Sequence, residues 1–189
     1  MSLGYDNDIA SELTKLHELT GAEFSRQVER IAQMHLFHPI DDEVGIFGTG
    51  NYKDNDYLNQ VRAARKLVTI GYKVFLLPNP HGGRTPDLII ERRGIYRVYD
   101  LKTISGESSA INRLKESIGQ CNQVILNMAT NYDPRRLGRD IKQYFGLNPN
   151  AVEVMILKGT RQIMVKREFA LSSDFVWELM MRYNKKKSR

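Results

Sequence analysis

Two stretches of the chain bring together side chains that can share one reaction: Thr85-Pro86-Asp87-Leu88-Ile89-Ile90 and, a turn of the chain later, Tyr99-Asp100-Leu101-Lys102-Thr103. In a strand alternate residues share a face, so Asp100 and Lys102 project together while Leu101 points the other way. A hairpin between the two stretches sets Asp87 beside them. Two carboxylates on neighbouring strands make an oxygen cradle for a hard cation such as Mg2+ or Mn2+, which keeps waters and a substrate phosphate in its remaining positions. Such an ion polarises a non-bridging oxygen and offsets the charge that develops when a phosphodiester is cleaved. A lysine two residues from the ligand aspartate can position or deprotonate the attacking water, or stabilise the charge on phosphorus. The same letters also read as a turn-capping Asp after proline and a surface carboxylate paired with Lys102 or Arg97.

The elements that must hold these residues are legible as patterns. Leu58, Val61, Ala64, Leu67 and Val68 line one helical face, and Gly71 supplies its stop. Lys73 to Leu77 reads as a short apolar strand ended by Pro78; Leu88-Ile89-Ile90 and Ile95 to Leu101 are the next two, joined by a turn around Arg92, Arg93 and Gly94. A helix starting near Ser108 or Ser109 runs through Ile111, Leu114, Ile118 and Cys121 into the strand Val124-Ile125-Leu126. Asp133 before Pro134 starts another helix, with Gly146 as its stop, followed by strands Val152 to Leu157 and Gln162 to Lys166 and a helix around Asp174 to Tyr183. Upstream, Asp8 to Leu36 reads as two helices, with Thr20 and Glu23 as a capping box for the second; Pro39 to Asp56 reads as loop with room for one short strand. The order predicts an α/β fold, a central mixed sheet flanked by helices.

Placed on that hairpin, Pro86-Asp87 and Asp100-Leu101-Lys102 resemble the motif of the PD-(D/E)xK nuclease superfamily, over about 70 residues from Tyr57 to Met128. The resemblance implies a restriction-endonuclease-like core of helix, three strands, helix and strand, and a metal-dependent endonuclease with Asp87 and Asp100 as metal ligands and Lys102 as a catalytic residue. It also implies two supporting residues. The family often adds a carboxylate from the preceding helix, a position that falls here on Gln60, whose neutral amide departs from the pattern; it often carries a Gln on the helix after the lysine strand, which falls on Gln120. Within the superfamily, Gly71-Tyr72-Lys73-Val74, the Gly-rich approach to Thr85-Pro86-Asp87, Asp100-Leu101-Lys102-Thr103 and the segment from Gln120 to Asn127 look like the tRNase toxin domains of contact-dependent growth inhibition systems. Those are C-terminal domains of large bacterial effectors, neutralised by a cognate immunity protein. On this reading residues 1–50 are an N-terminal helical extension or cap, 51–184 the nuclease-like domain and 185–189 a basic tail. His81, Arg84 and Thr103 are expected to touch nucleic acid. DNA cleavage in repair, restriction or mobile-element processing, and a non-catalytic binding domain of the same fold, remain the alternatives.

Bulk composition agrees with a nucleic-acid partner without selecting one. The 28 Lys and Arg against 22 Asp and Glu leave a net charge of +6, a field that favours polyanions. Basic clusters recur at Arg62, Arg65 and Lys66, at Arg92 and Arg93, and at Arg135, Arg136 and Arg139. The single cysteine, Cys121, excludes an internal disulfide framework and a Cys-rich zinc site. No apolar run approaches the length of a membrane span and the N-terminus lacks the organisation of a signal peptide; the resemblance implies action in the cytoplasm, with secretion or delivery there as part of a larger bacterial effector.

Overall fold

The computed structural model describes residues 3–40, 43–50, 55–78, 85–106 and 108–185, so His81, Arg84 and most of the basic tail lie outside the described residues. The chain is mixed α/β and divides into two compact units, 1–100 and 101–189. No helix among the described residues is long and apolar enough to cross a membrane.

In the first unit the order is α1 (Leu3–Lys15), α2 (Gly21–Ala32), β1 (His38–Pro39), β2 (Ile46–Gly48), α3 (Asn55–Thr69), β3 (Lys73–Leu76), β4 (Leu88–Arg92) and the start of β5 (Ile95–Ile104). Helices α1 and α2 pack on each other and bury Ile9, Leu13, Leu16, Val28, Ile31 and Ala32. The expected capping box is absent: Thr20 is the N-cap, but its side chain makes no capping hydrogen bond, and its carbonyl takes the Phe24 N–H instead. The first fifty residues are not helical alone, because β1 pairs antiparallel with β2, and β2 runs parallel to β3. Helix α3 makes the crossover between those parallel strands, the connection that parallel pairing requires. It ends as Gly71 promised. The Tyr72 N–H reaches back to Leu67 O (3.1 Å) and the Gly71 N–H to Val68 O (2.9 Å), while Gly71 takes φ 93°, the Schellman arrangement that only glycine enters without strain. Strands β3, β4 and β5 then form an antiparallel meander in sequence order.

The second unit begins within β5 and continues through α4 (Ala110–Glu116), β6 (Gln123–Met128), α5 (Pro134–Leu147), β7 (Glu153–Lys158), β8 (Arg161–Lys166), α6 (Arg167–Leu171) and α7 (Phe175–Asn184). Here β6 and β7 are parallel, with α5 as their crossover, and β8 closes on β7 antiparallel. The Asp133 carboxylate accepts the Arg136 N–H at 2.6 Å with Pro134 in the first turn, so α5 starts where its sequence says. It does not stop at Gly146. Leu137, Ile141, Tyr144 and Phe145 are fully buried in the unit's core, each contributing about 1.5–3 kcal/mol of burial, which outweighs the roughly 1 kcal/mol a helical glycine costs. The polypeptide thus runs α3-β3-β4-β5-α4-β6, the expected helix, three strands, helix and strand.

Candidate active site

Strand alternation and ladder register place the chemical residues of the first unit. Lys73, Phe75, Glu91, Ile89, Tyr96 and Val98 share one sheet face by register, and the ring of Tyr96 meets that of Phe75 at 6.3 Å between centroids. Phe75 in turn stacks on Phe47 at 5.1 Å. Tyr96 is therefore packed into an aromatic cluster. Alternation along β5 carries this face on to Asp100 and, two residues later on the same strand, to Lys102. Asp100 is fully buried and Lys102 half-buried. A buried carboxylate costs several kcal/mol unless charge or hydrogen bonds balance it, so the surroundings of Asp100 must supply that balance.

Asp87 enters from the neighbouring strand. The ladder pairs Leu88 with Tyr99, so one more regular step would set Asp87 opposite Asp100. Instead the Asp87 N–H donates to Tyr99 O at 3.0 Å, a slip of one residue that bends the chain at the mouth of β4. Tyr99 O belongs to the peptide that joins Tyr99 to Asp100, so the two aspartates leave adjacent points of backbone. Irregular pairing of this sort frees a side chain from strict alternation and re-aims it. Asp87 is fixed from the other side too, its carbonyl accepting the Leu77 N–H at 2.9 Å. Leu77, read from the sequence as the end of the strand before Pro78, makes this bond just past the last residue of β3.

The remaining candidates are distributed differently. Gln60 is half-buried on α3, a helix packed mainly over β2 and β3. Gln120 is not on a helix: α4 ends at Glu116, Ser117 makes the turn by taking the Gln120 N–H at 2.9 Å, and Gln120 stands in the approach to β6. Thr103 alternates to the face opposite Asp100 and Lys102, where its hydroxyl accepts from Asn127 Nδ2 at 3.4 Å. Asn127 was legible as the one amide inside the apolar run of β6, and it is buried. Of the basic clusters, Arg65 is committed to an ion pair with Glu43, whose carboxylate also holds the Arg65 guanidinium above its usual pKa. Lys66 on the same helix is pushed below the usual lysine range by burial. Arg136 lies over the Tyr132 ring at 5.5 Å.

Among the described residues no three His, Cys, Asp or Glu side chains converge to hold an ion. Asp87 and Asp100 could together offer at most two carboxylates to an ion, which would suit a hard cation that keeps most of its waters. A closed, all-protein cage is not what these residues build.

No family model and no curated protein matches the chain. Among solved structures it is similar to a CdiA-CT/CdiI toxin and immunity complex from Burkholderia pseudomallei, at 18% sequence identity and a TM-score of 0.41, over 62% of this chain and 92% of that one. The chemistry of the site rests on its own residues.

Proposed function

We propose that the chain is a metal-dependent endonuclease that hydrolyses nucleic-acid phosphodiester bonds. The observation that carries this reading is the buried Asp100 on β5 with Asp87 hydrogen-bonded to the adjoining peptide. Asp87 and Asp100 would hold Mg2+ or Mn2+, which when bound supplies charge to the scissile phosphate and acidifies a water. Lys102 then serves by its position along β5: an ammonium on the same strand face can orient the attacking water or neutralise the phosphate oxygens as charge builds on them.

Within this reading the substrate is proposed to be tRNA and the partner a cognate immunity protein, as for the growth-inhibition toxins that the sequence around Gly71-Tyr72-Lys73-Val74 and Asp100-Leu101-Lys102-Thr103 resembles. DNA cleavage uses the same chemistry, since substrate choice lies in loops outside the motif. A second reading, a binding module without turnover, is favoured by one observation, the lack of a third acidic ligand among the described residues.

The test is incubation of the protein and of its Asp100→Asn variant with total tRNA, single-stranded DNA and duplex DNA, each with Mg2+, Mn2+ or EDTA. Products are expected from the parent only, with metal only, and first from tRNA. Equal cleavage by the variant would overturn the site. Salt-dependent binding without products from any substrate would decide for the binding module.

A further inference from the structure

The turn of the β4–β5 hairpin contains a residue that turn chemistry disfavours. Arg93 and Gly94 are its two central residues, with φ of 56° and 77°, both positive as a type I′ turn demands. Glycine is at home there, and Asn or Asp are tolerated through their short polar side chains; a long unbranched cation gains nothing from this backbone. Arg93 is exposed, and among the described residues no hydrogen bond or ion pair holds its side chain. The turn needs this backbone conformation, but nothing in the fold needs an arginine to adopt it. Strain of this kind persists where a side chain is wanted for what it meets outside.

What lies beside it supplies the second observation. A cavity of about 300 Å³ opens on the sheet face opposite Asp100, lined by Tyr72, Ile90, Arg92, Arg93, Arg97 and Tyr99. Among the described residues three guanidinium groups and no carboxylate line it. The Arg92 guanidinium lies 5.3 Å over the Tyr72 ring, which sets its plane against an apolar wall and leaves N–H edges to be presented to an acceptor. Alternation turns Glu91, the acid of the hairpin, to the other face, where its carboxylate accepts the Gly94 N–H at 2.6 Å and stands 3.9 Å from Lys73 Nζ.

We propose that this arginine-lined cavity is an anchor for the phosphodiester backbone of nucleic acid, on the face of the hairpin away from the cleavage site. Planar guanidinium groups match the paired oxygens of a phosphate, and the cavity has the volume for one phosphate with its sugar. The choice of nucleic acid over an acidic protein surface rests on the nuclease reading above. The anchor contributes affinity that is independent of base sequence and steeply dependent on salt.

The experiment uses the full chain carrying Asp100→Asn, so that the probe is not consumed, and measures anisotropy of a fluorescein-labelled single-stranded RNA and its DNA equivalent across a KCl series. Adding Arg92→Ala with Arg97→Ala is expected to lower affinity roughly tenfold or more and to reduce the slope of log K against log salt by about 1.4, at about 0.7 per charge on a single strand; adding Arg93→Asn, which suits the turn, is expected to reduce it by about 0.7 with no loss of melting temperature. Slopes unchanged in both folded variants would overturn the anchor. Cleavage of the same oligonucleotides by protein retaining Asp100 is scored separately. Cleavage with unchanged slopes sinks the anchor and leaves the nuclease standing; reduced slopes without cleavage do the reverse.

Discussion

Mg2+ should raise the melting temperature of this protein and fail to raise that of its Asp100→Asn variant. In the proposed site two carboxylates, with no third acidic or imidazole ligand among the described residues, would make a weak oxygen site, with a Kd of roughly 1 mM by comparison with other sites of low charge count. At about 10 mM Mg2+ such a site contributes RT ln(1 + 10), about 1.4 kcal/mol, to the folded state. In a chain of 189 residues each kcal/mol moves Tm by about 2–4 °C, so the shift is about 3–6 °C. With one carboxylate replaced and affinity reduced about tenfold, the same metal contributes RT ln 2, about 0.4 kcal/mol, or roughly 1 °C. Melting followed by circular dichroism in EDTA, Mg2+ and KCl of matched ionic strength separates binding from screening. An equal Mg2+ shift in parent and variant, or none in the parent, refutes a metal site at Asp100.

Three smaller perturbations follow from the same structure. Arg93→Asn should stabilise the chain by about 0.5–1 kcal/mol in urea titration, since it relieves a left-handed backbone penalty of about 1–2 kcal/mol that Asn tolerates better; destabilisation would show the arginine to be structural. Tyr132→Phe removes the hydroxyl that donates to Asp140 Oδ2 at 2.8 Å and accepts the Ala110 N–H at 3.1 Å, and should cost about 1–3 kcal/mol at neutral pH. Burial first, with Asp140 adding to it, raises the Tyr132 pKa above its ordinary 10.0, so the fold favours the neutral phenol; the stability it contributes below pH 10 should decline as pH rises beyond that, and the gap between parent and variant should narrow. Asp133→Ala should cost about 1 kcal/mol by removing the cap of α5, and an unchanged urea midpoint would contradict the cap.

Where a residue's role is settled within a few positions of chain, the sequence was a sufficient guide. Asp133 and Pro134 fix the start of α5 because the cap is closed by an N–H three residues on, and Gly71 ends α3 through hydrogen bonds to residues it immediately follows. The hairpin that brings Asp87 to Asp100 is short-range as well. Long-range decisions were hidden. The parallel pairing of β2 with β3 depends on α3 crossing between them, and a strand of three residues carries no period of its own. Gly146 reads as a stop until the core contacts of Tyr144 and Phe145, the two residues just before it, are known. Gln120 was placed on a helix because Ile118 and Cys121 continue the apolar spacing of Leu114, yet the chain turns at Ser117, whose hydroxyl bonds to Leu114 O at 2.6 Å and lies 3.3 Å from the Tyr144 hydroxyl. The bend at Asp87 is likewise a property of the ladder and not of the letters. Helix α6 has one turn and went unread.

The two-residue turn at Arg93 and Gly94 is also a ruler. Every pair from Arg92–Ile95 to Leu88–Tyr99 is counted off from it, so the turn decides which residue of β5 faces which side at the distant end of the strand. Because side-chain direction alternates with a period of two, one residue inserted at that tip would exchange Asp100 for Tyr99 on the site face and set a phenol where the carboxylate belongs. A substitution in the turn leaves this spacing intact; a change in its length does not. The tip can therefore vary freely in residue type, and with it the grip on an anion, while its length remains bound to the chemistry.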